Sequence, residues 1–196
     1  LKLCLGLISS KEGTIKIFGE DIKDTAQKNK ISYISQKSNA FNVSFPATVQ
    51  ELIYSSLRSV GYDSKSSKKM TSDAIESVGT GHIADRMRGN LSGKKKKKAF
   101  IAKAISSKPE IIFLDEPTVG IDYGSEGFFY EAMHMLNQKG VTICMISHDI
   151  SAITSYANRV ACIGEDTFHI HESNDIMDIE TSLKKIYGKK MRLVTH

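Results

Sequence analysis

Apolar residues run through this chain in two patterns. Continuous stretches, Ile111-Ile112-Phe113-Leu114 and Val141-Thr142-Ile143-Cys144-Met145-Ile146, predict strands buried on both faces, as in a parallel sheet. Elsewhere apolar positions recur every three or four residues, as in helices. One helix is predicted from Thr48 through Leu57, with Thr48 as N-cap and Glu51 completing a capping box. Another, Glu126 to Asn137, carries Phe128, Phe129, Met133 and Leu136 and ends before Gly140. The polar, Ser- and Lys-rich stretch Gly61 to Gly81 contains a third around Met70 to Val78, and Ala99 to Ile105 is strongly helical. Leu1, Leu3, Leu5 and Ile8, with Gly6 and the 9–13 turn, read as the last turns of a helix leading to a strand, Thr14 to Phe18. A polar loop, Asp21 to Asn29, precedes a short strand, Ile31 to Ser35. Further on, Asp149 suits the N-cap of a helix reaching Tyr156. Asn158–Ile163 and Asp166–Ile170 form a hairpin, and Ile179 to Tyr187 a short helix before a basic tail. Strands alternating with helices make this an α/β chain with a mostly parallel sheet flanked by helices.

The buried run from Ile111 passes straight into Asp115 and Glu116, and Pro117 stops it. Ligands of open α/β sheets sit beyond such strand ends. Adjacent carboxylates there suit two tasks: Asp115 serving Mg²⁺, and Glu116 polarising a water for attack on phosphorus. The right-handed βαβ crossover brings the strand ending at Ile146 to the same sheet edge, delivering Ser147, His148 and Asp149. His169, His171 and Glu172 have the look of a metal site, since alternate strand residues share a face. The polar face of an edge strand is the plainer account, because a third ligand of fixed geometry is not evident.

A chain of 196 residues, 25% of them charged, suits one globular unit with a sizeable core and room for a smaller subdomain. It has no run of about 18 apolar residues that would span a membrane. Cys4, Cys144 and Cys162 are isolated in apolar surroundings, as structural thiols of a reducing compartment are. The net charge of +5 comes largely from the single run Lys94 to Lys98, so it is weak support for a nucleic-acid face, and no nucleic-acid partner is expected.

Asp115-Glu116-Pro117-Thr118 followed by Gly120-Ile121-Asp122 resembles the Walker B motif and D-loop of the ATP-binding subunits of ABC transporters. The resemblance implies a P-loop NTPase-type sheet with a small helical subdomain, about 46–98, within a single domain, 1–196. It implies ATP and Mg²⁺ as ligands. Gln36 falls at the Q-loop glutamine, which reaches the metal and the attacking water, and His148 at the switch histidine, which contacts the γ-phosphate. Leu91-Ser92-Gly93 matches the start of the family signature, Leu-Ser-Gly-Gly-Gln, whose serine and glycine grip ATP held by the other subunit of a head-to-tail dimer. Asp122 would lie at that dimer interface. The helical subdomain would touch a membrane-spanning permease, which places the protein at the cytoplasmic face of the membrane.

Two departures from the family pattern stand out. The Walker A loop, expected just before Leu1, is missing from this sequence, so the chain is expected to be an N-terminally truncated fragment that by itself binds ATP poorly. Lys94 and Lys95 replace the second glycine and the glutamine of the signature, and Lys98 falls where arginine is usual. Side chains there obstruct close approach of backbone to phosphate. Lysines in a first helical turn also oppose the helix dipole by roughly 0.3–1 kcal/mol each. Ser44 to Glu51, Phe129-Tyr130-Glu131 and Ser147-His148-Asp149-Ile150 look most like the ATPases of zinc and manganese uptake systems. Two alternatives stand beside that reading: a catalytically impaired interaction module of the same fold, and a soluble ABC-type ATPase acting outside transport.

Overall fold

The computed structural model describes residues 1–35, 47–79, 81, 84–86, 91–118, 123–164, 168–172, 179 and 181–183. They form two compact units, Leu1–Ile146 and Ser147–His196.

In the first unit the elements are β1 (Lys16–Ile17), β2 (Glu20–Asp21), β3 (Ile31–Ile34), α1 (Val49–Ser59), α2 (Ser64–Ser77), α3 (Gly93–Ile105), β4 (Ile111–Asp115), α4 (Tyr123–Gln138) and β5 (Thr142–Ile146). A 3-10 turn, Gln27–Lys30, leads into β3. Strands β3, β4 and β5 make a parallel sheet in that order, with Tyr33 opposite Phe113 and Asp115 opposite Ile146. The middle strand is the continuous apolar run, and Ile112 and Leu114 are fully buried. Phe113, on the opposite face, packs with Ile17 and Ile22 in a cluster that Tyr33, Ile31, Cys4 and Cys144 border.

The opening residues close as a helix end closes. Leu7 N–H donates to the Lys2 carbonyl and Gly6 N–H to that of Leu3, both at 3.0 Å, with Gly6 at φ 65°. That is the Schellman arrangement, and glycine supplies its left-handed residue without a Cβ clash. The β1–β2 hairpin was not legible in the sequence, where Asp21 onward reads as loop. It depends on Phe18 and Gly19, both at positive φ, forming the two-residue turn that matches strand twist.

Helix α1 starts as its sequence predicts. Thr48 Oγ1 accepts from Glu51 N at 3.2 Å, and Glu51 Oε2 accepts from Thr48 N at 2.8 Å. Asp63 caps α2 by accepting from Ser66 N at 3.0 Å, which starts that helix earlier than apolar spacing alone indicates. One apolar cluster, Val49, Ile53, Leu57, Ala74, Ile75, Leu91, Ala99 and Ala102, ties α1, α2 and α3 together. Burying each of its larger side chains contributes about 1.5–3 kcal/mol. Phe100 of α3 meets Phe129 of α4 edge-on, with ring centroids 5.8 Å apart.

The second unit contains α5 (Ile150–Tyr156) and an antiparallel hairpin of β6 (Arg159–Ile163) and β7 (Phe168–Glu172). Val160, Cys162 and Ile179 form its small core. Residues 179 and 181–183 are helical, at the start of the predicted terminal helix.

Candidate functional site

The end of β4 is where the chain concentrates its chemistry. Asp115 is the last strand residue and is half-buried. In a parallel pair, alternate residues share a face, so Tyr33, opposite Phe113, is the diagonal neighbour of Asp115. Its phenol donates to Asp115 Oδ2 at 3.4 Å. Burial, the Asp115 charge and this hydrogen bond together raise the Tyr33 pKa, so the group stays a donor through the physiological range. Sequence reasoning passed over Tyr33; the signal was its place on the predicted strand Ile31 to Ser35, just ahead of Gln36.

Glu116 adopts a left-handed conformation, φ 49°, immediately before Pro117. For a non-glycine residue this costs on the order of 1–3 kcal/mol, held in place by its surroundings. The surroundings are visible: Glu116 N–H donates to the Ile146 carbonyl at 3.0 Å, while Pro117 and Thr118 are buried. The left-handed step also ends the strand alternation.

The donors here suit a hard cation such as magnesium, which takes oxygen ligands and commonly binds through one or two carboxylates plus substrate phosphates. Among the described residues no group of three or more His, Cys, Asp or Glu side chains is arranged to hold a metal ion by itself. The half-buried Asp115 supplies one carboxylate of that kind.

A second feature is the start of α3. Leu91 is buried, and Ser92 and Gly93 are exposed. Ser92 has the extended backbone of an N-cap, and its carbonyl accepts from Lys96 N at 2.9 Å, but its hydroxyl makes no capping bond. The lysine run is not a uniform solvated face. Lys97 is buried, only 2% exposed. Lys98 Nζ approaches Gly79, just past the end of α2, and lies 6.0 Å from the Phe128 ring centroid. A cation near a helix C-terminus is favourably placed against the dipole, and a cation over a ring likewise.

His148 is exposed and belongs to the second unit, two residues along the chain from the end of β5. Asp149 stands immediately before α5: its N–H donates to Ser147 Oγ at 3.1 Å, and its carbonyl accepts from Ile153 N at 3.1 Å. In β7 the His169 and His171 ring centroids are 6.0 Å apart. His171 Nε2 is 2.9 Å from Ser182 Oγ, and Glu172 lies 3.7 Å from Arg159. Those contacts give the hairpin's polar groups structural partners. Burial pushes the thiols of Cys144 and Cys162 up, which favours their neutral form, and the Cys4 charge adds to the effect at Cys144. The predicted site residues Gln36 and Asp122 lie outside the described residues.

A parallel sheet whose middle strand ends in paired carboxylates defines an α/β protein of the kind that binds ligands at strand tips. Its lineage is specific. The ABC transporter family profile matches residues 1–119, and the chain belongs to that family. It is 39% identical over 170 residues to the zinc uptake system ATP-binding protein ZurA of Listeria monocytogenes serovar 1/2a, an alignment covering 84% of this chain and 66% of that one. It is 33% identical to the zinc transport system ATP-binding protein AdcC of Streptococcus pneumoniae, covering 81% of this chain and 69% of the other. The manganese transport system ATP-binding protein MntB of Halalkalibacterium halodurans is 28% identical over 192 residues, 96% of this chain and 75% of its own. The chain thus spans slightly less than two thirds of ZurA.

Solved structures share the fold. A nucleotide-free ATP-binding cassette from an ABC transporter superposes with a TM-score of 0.77 at 19% identity, covering 98% of this chain and 82% of that one. The dimeric post-hydrolysis state of the cassette MJ0796 bound to ADP and Pi superposes with 0.69 at 19% identity, covering 88% and 78%.

Proposed function

We propose that this chain is the ATP-binding and hydrolysing part of an ABC transporter subunit that powers membrane passage of zinc or manganese. The observation that carries the reading is the Asp115–Glu116 pair at the end of the buried middle strand, with Glu116 held in a left-handed turn. The naming of the relatives as zinc and manganese ATP-binding proteins supports the cargo class.

In this reading Glu116 accepts the proton of the water that attacks the γ-phosphate. Asp115 turns a carboxylate oxygen toward the magnesium that accompanies ATP. That ion, when bound, neutralises charge on the phosphate oxygens. Gln36, with an amide that both donates and accepts, orients the water, and His148 contacts the γ-phosphate. Ser92 and Gly93 reach nucleotide on a second copy in a head-to-tail dimer, which fits a Ser92 hydroxyl left unused by its own helix. Asp122 lies at that dimer interface. The region 46–98 is the helical subdomain that meets the permease, which holds the protein at the cytoplasmic face of the membrane. Among the described residues no helix is long and apolar enough to cross a membrane.

Lys94 and Lys95 favour a second reading, in which nucleotide is bound but scarcely hydrolysed. Parallel measurements of ATP binding and phosphate release on the purified chain, with a Walker A loop supplied ahead of Leu1, separate the two. Binding with turnover supports the transporter ATPase, binding without turnover the impaired module, and neither rejects both. Co-purification of a multi-spanning membrane protein is expected; a strictly soluble complex would favour a non-transport ATPase.

A further inference from the structure

We infer that Tyr33 is a positioning residue for Asp115, fixing which carboxylate oxygen is left for the metal. The inference rests on the reading of Asp115 as the metal-facing carboxylate. It deepens that reading by naming the group that orients it.

The argument starts from the pairing of β3 with β4. Tyr33 faces Phe113 in the parallel register, and Asp115 is two positions further on the same face. An aromatic side chain spans that diagonal. Its ring borders the apolar cluster of Ile17, Ile22 and Phe113, which limits its freedom. The hydroxyl at its far end reaches Asp115 Oδ2 at 3.4 Å. One carboxylate oxygen therefore has a fixed donor, and Oδ1 keeps its lone pairs for another ligand. On the opposite flank, Glu116 N–H is tied to the Ile146 carbonyl of β5. Asp115 is held from both neighbouring strands, by a side chain on one side and through its successor's backbone on the other.

Groups that hydrogen-bond a ligating carboxylate set its orientation, and losing one typically costs 10–100-fold in metal affinity. Tyr33 is also three residues before Gln36 in the sequence.

The test is Mn²⁺ binding to the purified chain with a Walker A loop supplied ahead of Leu1, followed by electron paramagnetic resonance with saturating non-hydrolysable ATP analogue. Affinity for the analogue alone is measured in metal-free buffer. Tyr33→Phe is expected to weaken Mn²⁺ binding by about tenfold while leaving metal-free nucleotide affinity unchanged. Wild-type Mn²⁺ affinity in Tyr33→Phe overturns the inference. So does an equal loss of both affinities, which marks a general packing defect. A second variant, 3-fluorotyrosine at position 33, keeps ring and donor and is expected to bind Mn²⁺ at least as tightly as wild type; a tenfold loss there also overturns it. Asp115→Asn separates the two levels. If it binds Mn²⁺ normally, the assignment of Asp115 itself fails and takes this inference with it. If it loses Mn²⁺ while Tyr33→Phe does not, only the role of Tyr33 fails.

Discussion

The acidic pair at the end of β4 and the serine–glycine pair at the start of α3 are built in opposite ways. Asp115 and Glu116 follow a strand with no freedom: Ile112 and Leu114 are fully buried, β3 and β5 flank it, and a strained residue is held by a bond to Ile146. Ser92 and Gly93 are exposed and open a helix without a side-chain cap or an acidic residue in its first turn. That helix is secured downstream, where Ala99, Phe100, Ala102 and Ala104 are buried. A helix anchored along its length tolerates an electrostatically poor first turn, because the unfavourable terms are tenths of a kcal/mol against several for burial. Lysines are therefore compatible with folding at this helix start.

The sharpest way to break the comparison is chemical. Glu116→Gln is expected to cut ATP turnover by roughly 10²–10⁴-fold with nucleotide binding retained, as for loss of a general base; steady-state phosphate release against equilibrium binding measures it. Unchanged turnover would remove the tip of β4 from catalysis. Next comes the fold beneath that tip. Leu114→Ala should lower unfolding free energy by about 2–5 kcal/mol, the range for emptying a close-packed site, read from denaturant midpoints.

The start of α3 responds differently. Replacing Lys94 by Gly together with Lys95 by Gln is expected to raise ATP turnover about tenfold, since one recovered backbone donor to an anion is worth at least that. No gain would mean that the lysines do not obstruct this site. The capped and uncapped helices can then be compared directly. Thr48→Ala should cost α1 about 0.5–2 kcal/mol. Ser92→Ala, which breaks no capping bond, should stay within roughly 0.5 kcal/mol of wild type in stability.

The smallest effect is a pH dependence. Bonds from the Thr48 backbone and side chain hold the Glu51 carboxyl below its ordinary value of 4.5. A depressed carboxylate stabilises the folded state above its unfolded pKa, and the contribution fades as pH falls through the folded one. The difference in melting temperature between wild type and Glu51→Gln should therefore be constant near neutrality and shrink below about pH 4. A difference that persists in acid would show that the capping box does not rely on the charged form.

Much of this was legible in the residues, for a local reason. The run Ile111 to Leu114 could only be a buried strand, and Thr48 with Glu51 announced its helix, because periodicity and capping depend on neighbours a few positions apart. The β1–β2 hairpin escaped notice because its turn places an aromatic, Phe18, at φ 55°, a conformation its residue type does not advertise. The acidic pair was visible as chemistry but not as geometry.

What only the tertiary structure decided lies across the chain rather than along it. The Tyr33–Asp115 contact joins residues 82 positions apart, and nothing in either segment names the other. The left-handed turn at Glu116 depends on a carbonyl from β5, and the burial of Lys97 on the packing around α3. Local sequence sets which elements form, since their hydrogen bonds close within a few residues. Strand register and packing set which side chains meet, and those were fixed only when the parallel sheet assembled.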